Sequence, residues 1–217
     1  LCRRTAMDIA SGKKKSARIT ADNLAKYLGV PRYTHSELLD KDEIGVATGM
    51  AWTAAGGELL PIEVSILPGK GNLLLTGQLG DVMKESAQMS LSYIRSIWDK
   101  LGLEKDFYEK IDVHIHAPEG AVPKDGPSAG VTLVTAMVSA LTKRAVRHDI
   151  AMTGEMTLRG KVLPIGGLKE KSLAAYRAGS REIIIPIDNK KDMEEIPAEI
   201  REEMTIHLAD NITEVLD

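Results

Sequence analysis

No charged residue occurs between Ser128 and Thr142, over Ala129-Gly130-Val131-Thr132-Leu133-Val134-Thr135-Ala136-Met137-Val138-Ser139-Ala140-Leu141. A helix with no polar stripe is a buried helix. It follows directly on a Gly/Pro-rich turn, Ala121-Val122-Pro123-Lys124-Asp125-Gly126-Pro127. Residues 82–101 show a different pattern. Ala87, Leu91, Ile94, Trp98 and Leu101 recur at helical spacing, and Lys84, Glu85, Arg95 and Asp99 lie off that stripe, so an amphipathic helix is predicted. Ile111-Asp112-Val113-His114-Ile115-His116 alternates strictly, as a half-buried strand does.

The remaining elements follow from the same reading. Residues 45–53 and 57–66 predict two strands joined at Ala54-Ala55-Gly56, and Leu73–Gly77 predicts a third after the turn Pro68–Asn72. Beyond the buried helix come a strand from His148 to Thr153, a hairpin over Thr157–Leu163, and a helix from about Leu168. An apolar strand over Glu182–Pro186, a polar helix near Lys190–Glu195, a strand over Thr205–Leu208 and a terminal helix complete the order. That order predicts an α+β fold. At the start, residues 1–10 read as the end of a helix and Ser11–Ser16 as a solvated break. Thr20 reads as the N-cap of a helix over Ala21–Leu28 that stops at Gly29, with Pro31 beyond it and a polar linker over 32–43.

The net charge of −3 opposes nonspecific binding to nucleic acid, and 4% aromatic residues leave little for a base-stacking platform. The single cysteine, Cys2, permits no disulfide within the chain and fits a cytoplasmic setting. No run is long enough to span a bilayer, and the first six residues lack the apolar core of a secretory leader. The chain opens on Leu1 and within a helical pattern, so it is expected to be a piece of something longer.

Two stretches carry candidate chemistry. Ser128 stands where a loop enters the buried helix, at the positive end of its dipole and beside amides without partners inside it. A capping serine, a phosphate contact and a nucleophile facing an oxyanion all suit that place. The second stretch is Pro164-Ile165-Gly166-Gly167-Leu168-Lys169-Glu170-Lys171. On a helix over 168–179, Lys169, Glu170 and Arg177 share one side. Lys171 falls among Leu168, Ser172, Ala174, Ala175 and Ala178, and Leu173 breaks the pattern. An inward lysine either snorkels along its stem or loses its charge, and a neutral amine is a general base that a serine hydroxyl can use.

Residues 44–217 resemble the proteolytic domain of Lon, the ATP-dependent protease family. The motifs that carry the resemblance are long and ordered: Pro118-Glu119-Gly120-Ala121, Pro123–Gly130, Met152-Thr153-Gly154-Glu155-Met156-Thr157-Leu158-Arg159-Gly160 and Leu163–Lys171. The resemblance implies an α+β Lon proteolytic-domain fold with mixed sheets and packed helices. It implies a serine endopeptidase in which Ser128 is the nucleophile and Lys171 the base, with Thr153 bonded to the Lys171 amine. Gly126, Pro127 and Ala129 frame the nucleophile in the same motif. It further implies unfolded protein or peptide substrates and a homohexamer. Residues 1–43 resemble the end of the small helical subdomain of the family's ATPase module. No phosphate loop occurs in the chain, so ATP and Mg would belong to an absent part of that module and no cofactor is expected here.

Other residues stay open. Asp125 is a turn-former, a loop-shaping residue or a gate. Glu155 is a cleft carboxylate or a solvated charge. His114 and His116 share a strand face with Asp112. Two ligands at i and i+2 make no metal site alone, and a polar wall, a subunit contact or plain exposure fits them better. Two other functions compete with proteolysis: a phosphate-binding, kinase-like domain cradling a ligand at Gly126–Gly130, and a non-catalytic ring scaffold.

Overall fold

A computed structural model describes residues 1–13, 15–29, 38–53, 56–118 and 123–216. The chain divides into two units, Leu1–His35 and Ser36–Asp217. The first holds helix α1 (Cys2–Ala10) and, after a 3-10 turn over Ala21–Asn23, helix α2 (Leu24–Leu28). Neither helix buries a residue. The Thr20 amide donates to the Asn23 carboxamide at 3.0 Å, which fixes the entry to the turn. Gly29 ends α2 at φ 89°, a backbone angle that favours glycine. Pro31 and most of the expected linker lie outside the described residues, as does the link at 54–55.

The second unit is built on a seven-stranded mixed sheet. Its strands are β1 (Val46–Thr53), β2 (Gly56–Pro68), β3 (Leu73–Thr76), β4 (Ile111–His116), β5 (Ile150–Met152), β8 (Glu182–Pro186) and β9 (Thr205–Ala209). They lie in the order β3-β4-β2-β1-β5-β8-β9, with β6 (Glu155–Met156) and β7 (Val162–Leu163) pairing separately. The β1–β2 and β2–β4 pairs are antiparallel; β3–β4, β1–β5, β5–β8 and β8–β9 are parallel. The parallel pairs need crossovers, and helices supply three of them. These are α3 (Asp81–Ser96), α4 (Gly130–Thr142) and α5 (Leu168–Arg177), followed by α6 (Ala198–Glu203) and α7 (Thr213–Leu216).

Strand alternation sorts the core into two clusters. Ile62, Val64, Ile115, Met152 and Ile184 pack with residues of α3 and α4. Met50, Leu59, Ala151, Ile183 and Ile185 pack with Leu168 and Ala175 of α5. From Gly130 to Ala140 every residue of α4 is buried, as its charge-free pattern demands. Helix α5 comes so close to β2 that a Cβ on Gly57 would lie 1.9 Å from the Glu170 carbonyl oxygen, so only glycine fits.

Several boundaries differ from expectation. Helix α3 ends at Ser96, five residues short, where the Ser96 hydroxyl takes the Tyr93 carbonyl at 2.7 Å in competition with the helical ladder. Trp98 and Leu101 nevertheless pack on the core from the turns that follow. The expected helix at Lys190–Glu195 is a 3-10 segment over Ile187–Glu195, bent around the buried Asn189. The Asn189 side chain bonds both the amide and the carbonyl of Ile165. Helix α6 is additional to the sequence reading. Among the described residues, no helix is long and apolar enough to cross a membrane.

Candidate active site

Ser128 is half-buried in the middle of a 3-10 turn, Pro127–Ala129, which runs straight into α4. Gly126 before it has φ 123°, a conformation reserved for glycine, and turns the chain into that helix. The backbone of Ser128 is pinned to the end of β5. Its carbonyl accepts the Gly154 amide at 2.9 Å and the Thr153 hydroxyl at 3.2 Å, and the Val131 amide donates to the Gly154 carbonyl at 3.0 Å. A Cβ on Gly154 would stand 2.6 Å from Val131 Cγ2, so this close approach requires a glycine.

Lys171 points inward from α5, as the helix geometry predicts. It is 3% exposed, while Lys169 and Arg177 are exposed on the outer side. Its Nζ donates to Thr153 Oγ1 at 3.1 Å. Burial pulls the pKa of the amine down to about 8. Thr153 is fully buried, and its single hydroxyl proton goes to the Ser128 carbonyl. Towards Lys171 it can therefore act only as an acceptor. That polarity has a consequence. A neutral amine that donates to Thr153 keeps its lone pair free for another proton.

Ser128 and Lys171 line one cavity of about 570 Å³. Among the described residues no hydrogen bond joins Ser128 Oγ to Lys171 Nζ directly; Thr153 bridges the amine to the serine's backbone. Asp125, Gly126, Pro127, Ala129 and Glu155 line the same cavity. The Asp125 carboxylate accepts the Met83 amide at 3.0 Å and the Gly126 amide at 2.9 Å. It thereby caps α3 at its third residue and clamps the loop that carries the serine. A Cβ on Gly80 would stand 2.3 Å from Asp125 Cγ, so the cap needs that glycine as well.

His114 and His116 are half-buried on β4 and do not line the cavity. They share the Thr76 hydroxyl, at 2.9 and 2.8 Å. Asp112 turns away from them to accept the amides of Lys70 and Asn72, each at 2.8 Å. Among the described residues no group of three or more His, Cys, Asp or Glu is placed to hold a metal ion.

The β1–β2 hairpin, predicted from sequence only as two strands, contributes Met50, Trp52 and Glu58 to the cavity wall, and α5 adds Glu170 beside the lysine. One signal was available: Trp52 sits at a strand end among small residues, where a large aromatic has little core to fill, and it is 60% exposed. The Gly154 pin and the Gly80 approach had no sequence signature, because both depend on strands brought together by the sheet.

In an α+β domain, a serine at a helix start that shares a cavity with a buried, low-pKa lysine has the parts that acyl-transfer hydrolases use. Comparison with known proteins agrees. Residues 18–217 match the family described as Lon protease (S16) C-terminal proteolytic domain. The whole chain is 55% identical to "Lon protease 1" of Bacillus subtilis and covers 28% of that protein. It is 56% identical to "Lon protease" of Desulforamulus reducens and 57% identical to "Lon protease" of Lawsonia intracellularis, covering 27% and 26% of those proteins. The chain belongs to the Lon protease C-terminal proteolytic-domain family. It spans about a quarter of the length of these relatives.

Proposed function

We propose that Ser128 is the nucleophile and neutral Lys171 the general base for peptide-bond hydrolysis. The observation that carries this is the chain of contacts from the Lys171 amine through the Thr153 hydroxyl to the Ser128 carbonyl, beside one cavity. Lys171 takes the proton of the Ser128 hydroxyl as its oxygen attacks the scissile carbonyl. The resulting ammonium returns that proton to the leaving amine, and an acyl-enzyme forms. A water, deprotonated by the same amine, attacks the ester and releases the acid and the free serine. At the helix start the Gly130 amide already bonds Pro127 O and the Val131 amide Gly154 O. The Ser128 amide is left as a donor to the oxyanion.

In the larger protein, unfolded polypeptides are the substrates, a homohexamer is the assembly, and ATP with magnesium acts in an ATPase module ahead of this domain. The cytoplasm is its setting. These parts rest on the family resemblance. The phosphate-cradle alternative leaves a buried lysine at the cavity without a purpose.

The test is substitution with a fold control. Ser128→Ala and Lys171→Ala are each expected to reduce cleavage of an unfolded protein by at least about a thousandfold, the usual scale for losing one member of such a pair. Far-UV circular dichroism should stay unchanged. Full activity in folded Ser128→Ala would give the reaction another nucleophile.

A further inference from the structure

Every side-chain hydroxyl on α4 but one has a partner. Thr135 and Thr142 each bond the carbonyl one helical turn back, Val131 O at 2.9 Å and Val138 O at 2.7 Å. Ser139 accepts the Gly45 amide and donates to the Arg144 carbonyl. Thr132 is fully buried, and among the described residues its hydroxyl has no hydrogen-bond partner. Such a group is costly to bury. The carbonyl one turn back from Thr132 is that of Ser128. It already accepts the Gly154 amide and the Thr153 hydroxyl, and a carbonyl oxygen has two lone pairs. The Thr153 contact, at 3.2 Å, is longer than the bonds that Thr135 and Thr142 make. Thr132 is thus left unpaired because Thr153 holds the acceptor it would otherwise use. Its hydroxyl lies against β1, with Oγ1 3.0 Å from where a Cβ on Gly49 would stand. A rotation about χ1 is enough to carry a helical threonine hydroxyl to the carbonyl one turn back.

We infer that Thr132 is a positioning residue for the Ser128–Lys171 pair: it competes with Thr153 for the Ser128 carbonyl, and when it wins, the Thr153 proton turns onto the Lys171 amine and masks the base. The inference deepens the peptidase reading and rests on it. No proton changes owner. In the observed arrangement Lys171 donates to Thr153, and Thr153 donates to the Ser128 carbonyl. In the second, Thr132 donates to that carbonyl and Thr153 donates to the lone pair of the amine. Each arrangement holds two of these bonds, so neither is strongly favoured. The second needs a neutral amine, because an ammonium has no lone pair to offer. Masking is therefore confined to the alkaline side of the lysine's titration.

The test is the rate at which a serine-directed electrophile acylates Ser128 across about pH 6 to 10, in the wild type, Thr132→Val and Thr132→Ser. Valine keeps the shape and drops the hydroxyl; serine keeps the hydroxyl. On the acid side the rate follows the ratio of neutral, unmasked amine to ammonium, which masking leaves alone, so Thr132→Val should overlay the wild type there. On the alkaline plateau it should run about two- to fourfold faster, with the apparent pKa higher by about 0.3 to 0.6, the logarithm of the same factor. Thr132→Ser should keep the wild-type profile. A plateau unchanged or lowered in Thr132→Val, a change by the same factor at every pH, or a Thr132→Ser profile like that of valine overturns the inference. So does a Thr132→Val chain that melts well below the wild type, since an unpaired hydroxyl cannot carry that much stability. Failure of the peptidase reading looks different: a wild-type rate without pH dependence, or one unchanged in Lys171→Ala.

Discussion

Lys171 connects catalysis to stability. Its folded pKa, about 8, lies below the ordinary lysine value of 10.5. Below pH 8 the amine is protonated in both states, and the folded protein bears the full penalty of a buried cation. Between pH 8 and 10.5 the unfolded chain binds the extra proton, so stability rises with pH across that window. The penalty is about 3 kcal/mol at neutral pH. Lys171→Met should therefore raise the stability at pH 7 by about 2–3 kcal/mol, with the gain vanishing by pH 10.5. Urea unfolding at the two pH values measures it, and equal gains at both would contradict the burial argument. Ser128 and Lys171 were both legible in sequence, one from the charge-free run behind it and the other from the helix face on which it falls. The Thr153 bond to the Lys171 amine was expected from the family resemblance; its second bond, to the Ser128 carbonyl, was not, because only the parallel β1–β5–β8 pairing sets the hydroxyl between a carbonyl and an amine.

The loop before Ser128 is ordered by a cap that belongs to another element. Asp125 supplies the side-chain acceptor that α3 lacks at its own N-cap, Gly80. Asp125→Ala should cost about 1 kcal/mol of stability, the usual value of a lost cap. It should also lower kcat more than KM is raised, because the nucleophile's turn loses its clamp; thermal melts and steady-state kinetics separate the two effects. A variant as stable and active as the parent would leave Asp125 a mere turn residue. Strands and long helices were legible because periods of 2 and 3.6 mark half-buried elements directly. The early end of α3, the 3-10 run at Ile187–Glu195 and helix α6 were not. The first two depend on local hydrogen bonds, those of Ser96 and Asn189, that compete with the regular ladder.

Taken whole, the second unit is a mixed sheet that presses the buried α4 on one face and the lysine-bearing α5 on the other, with the cavity between their starts. Motif order foretold that pairing of stretches 43 positions apart in sequence. It did not foretell the rest of the cavity wall, because Glu58 and Glu170 come from segments whose meeting only the topology determines. The central claim is that a serine hydroxyl is activated by one neutral, buried amine. The most direct test is the rate at which a serine-directed electrophile acylates Ser128, followed by intact-protein mass across pH 6 to 10. The predicted rate rises with an apparent pKa near 8 and falls to background in Lys171→Ala. A rate that is independent of pH over this range, or that is unchanged in Lys171→Ala, would contradict it.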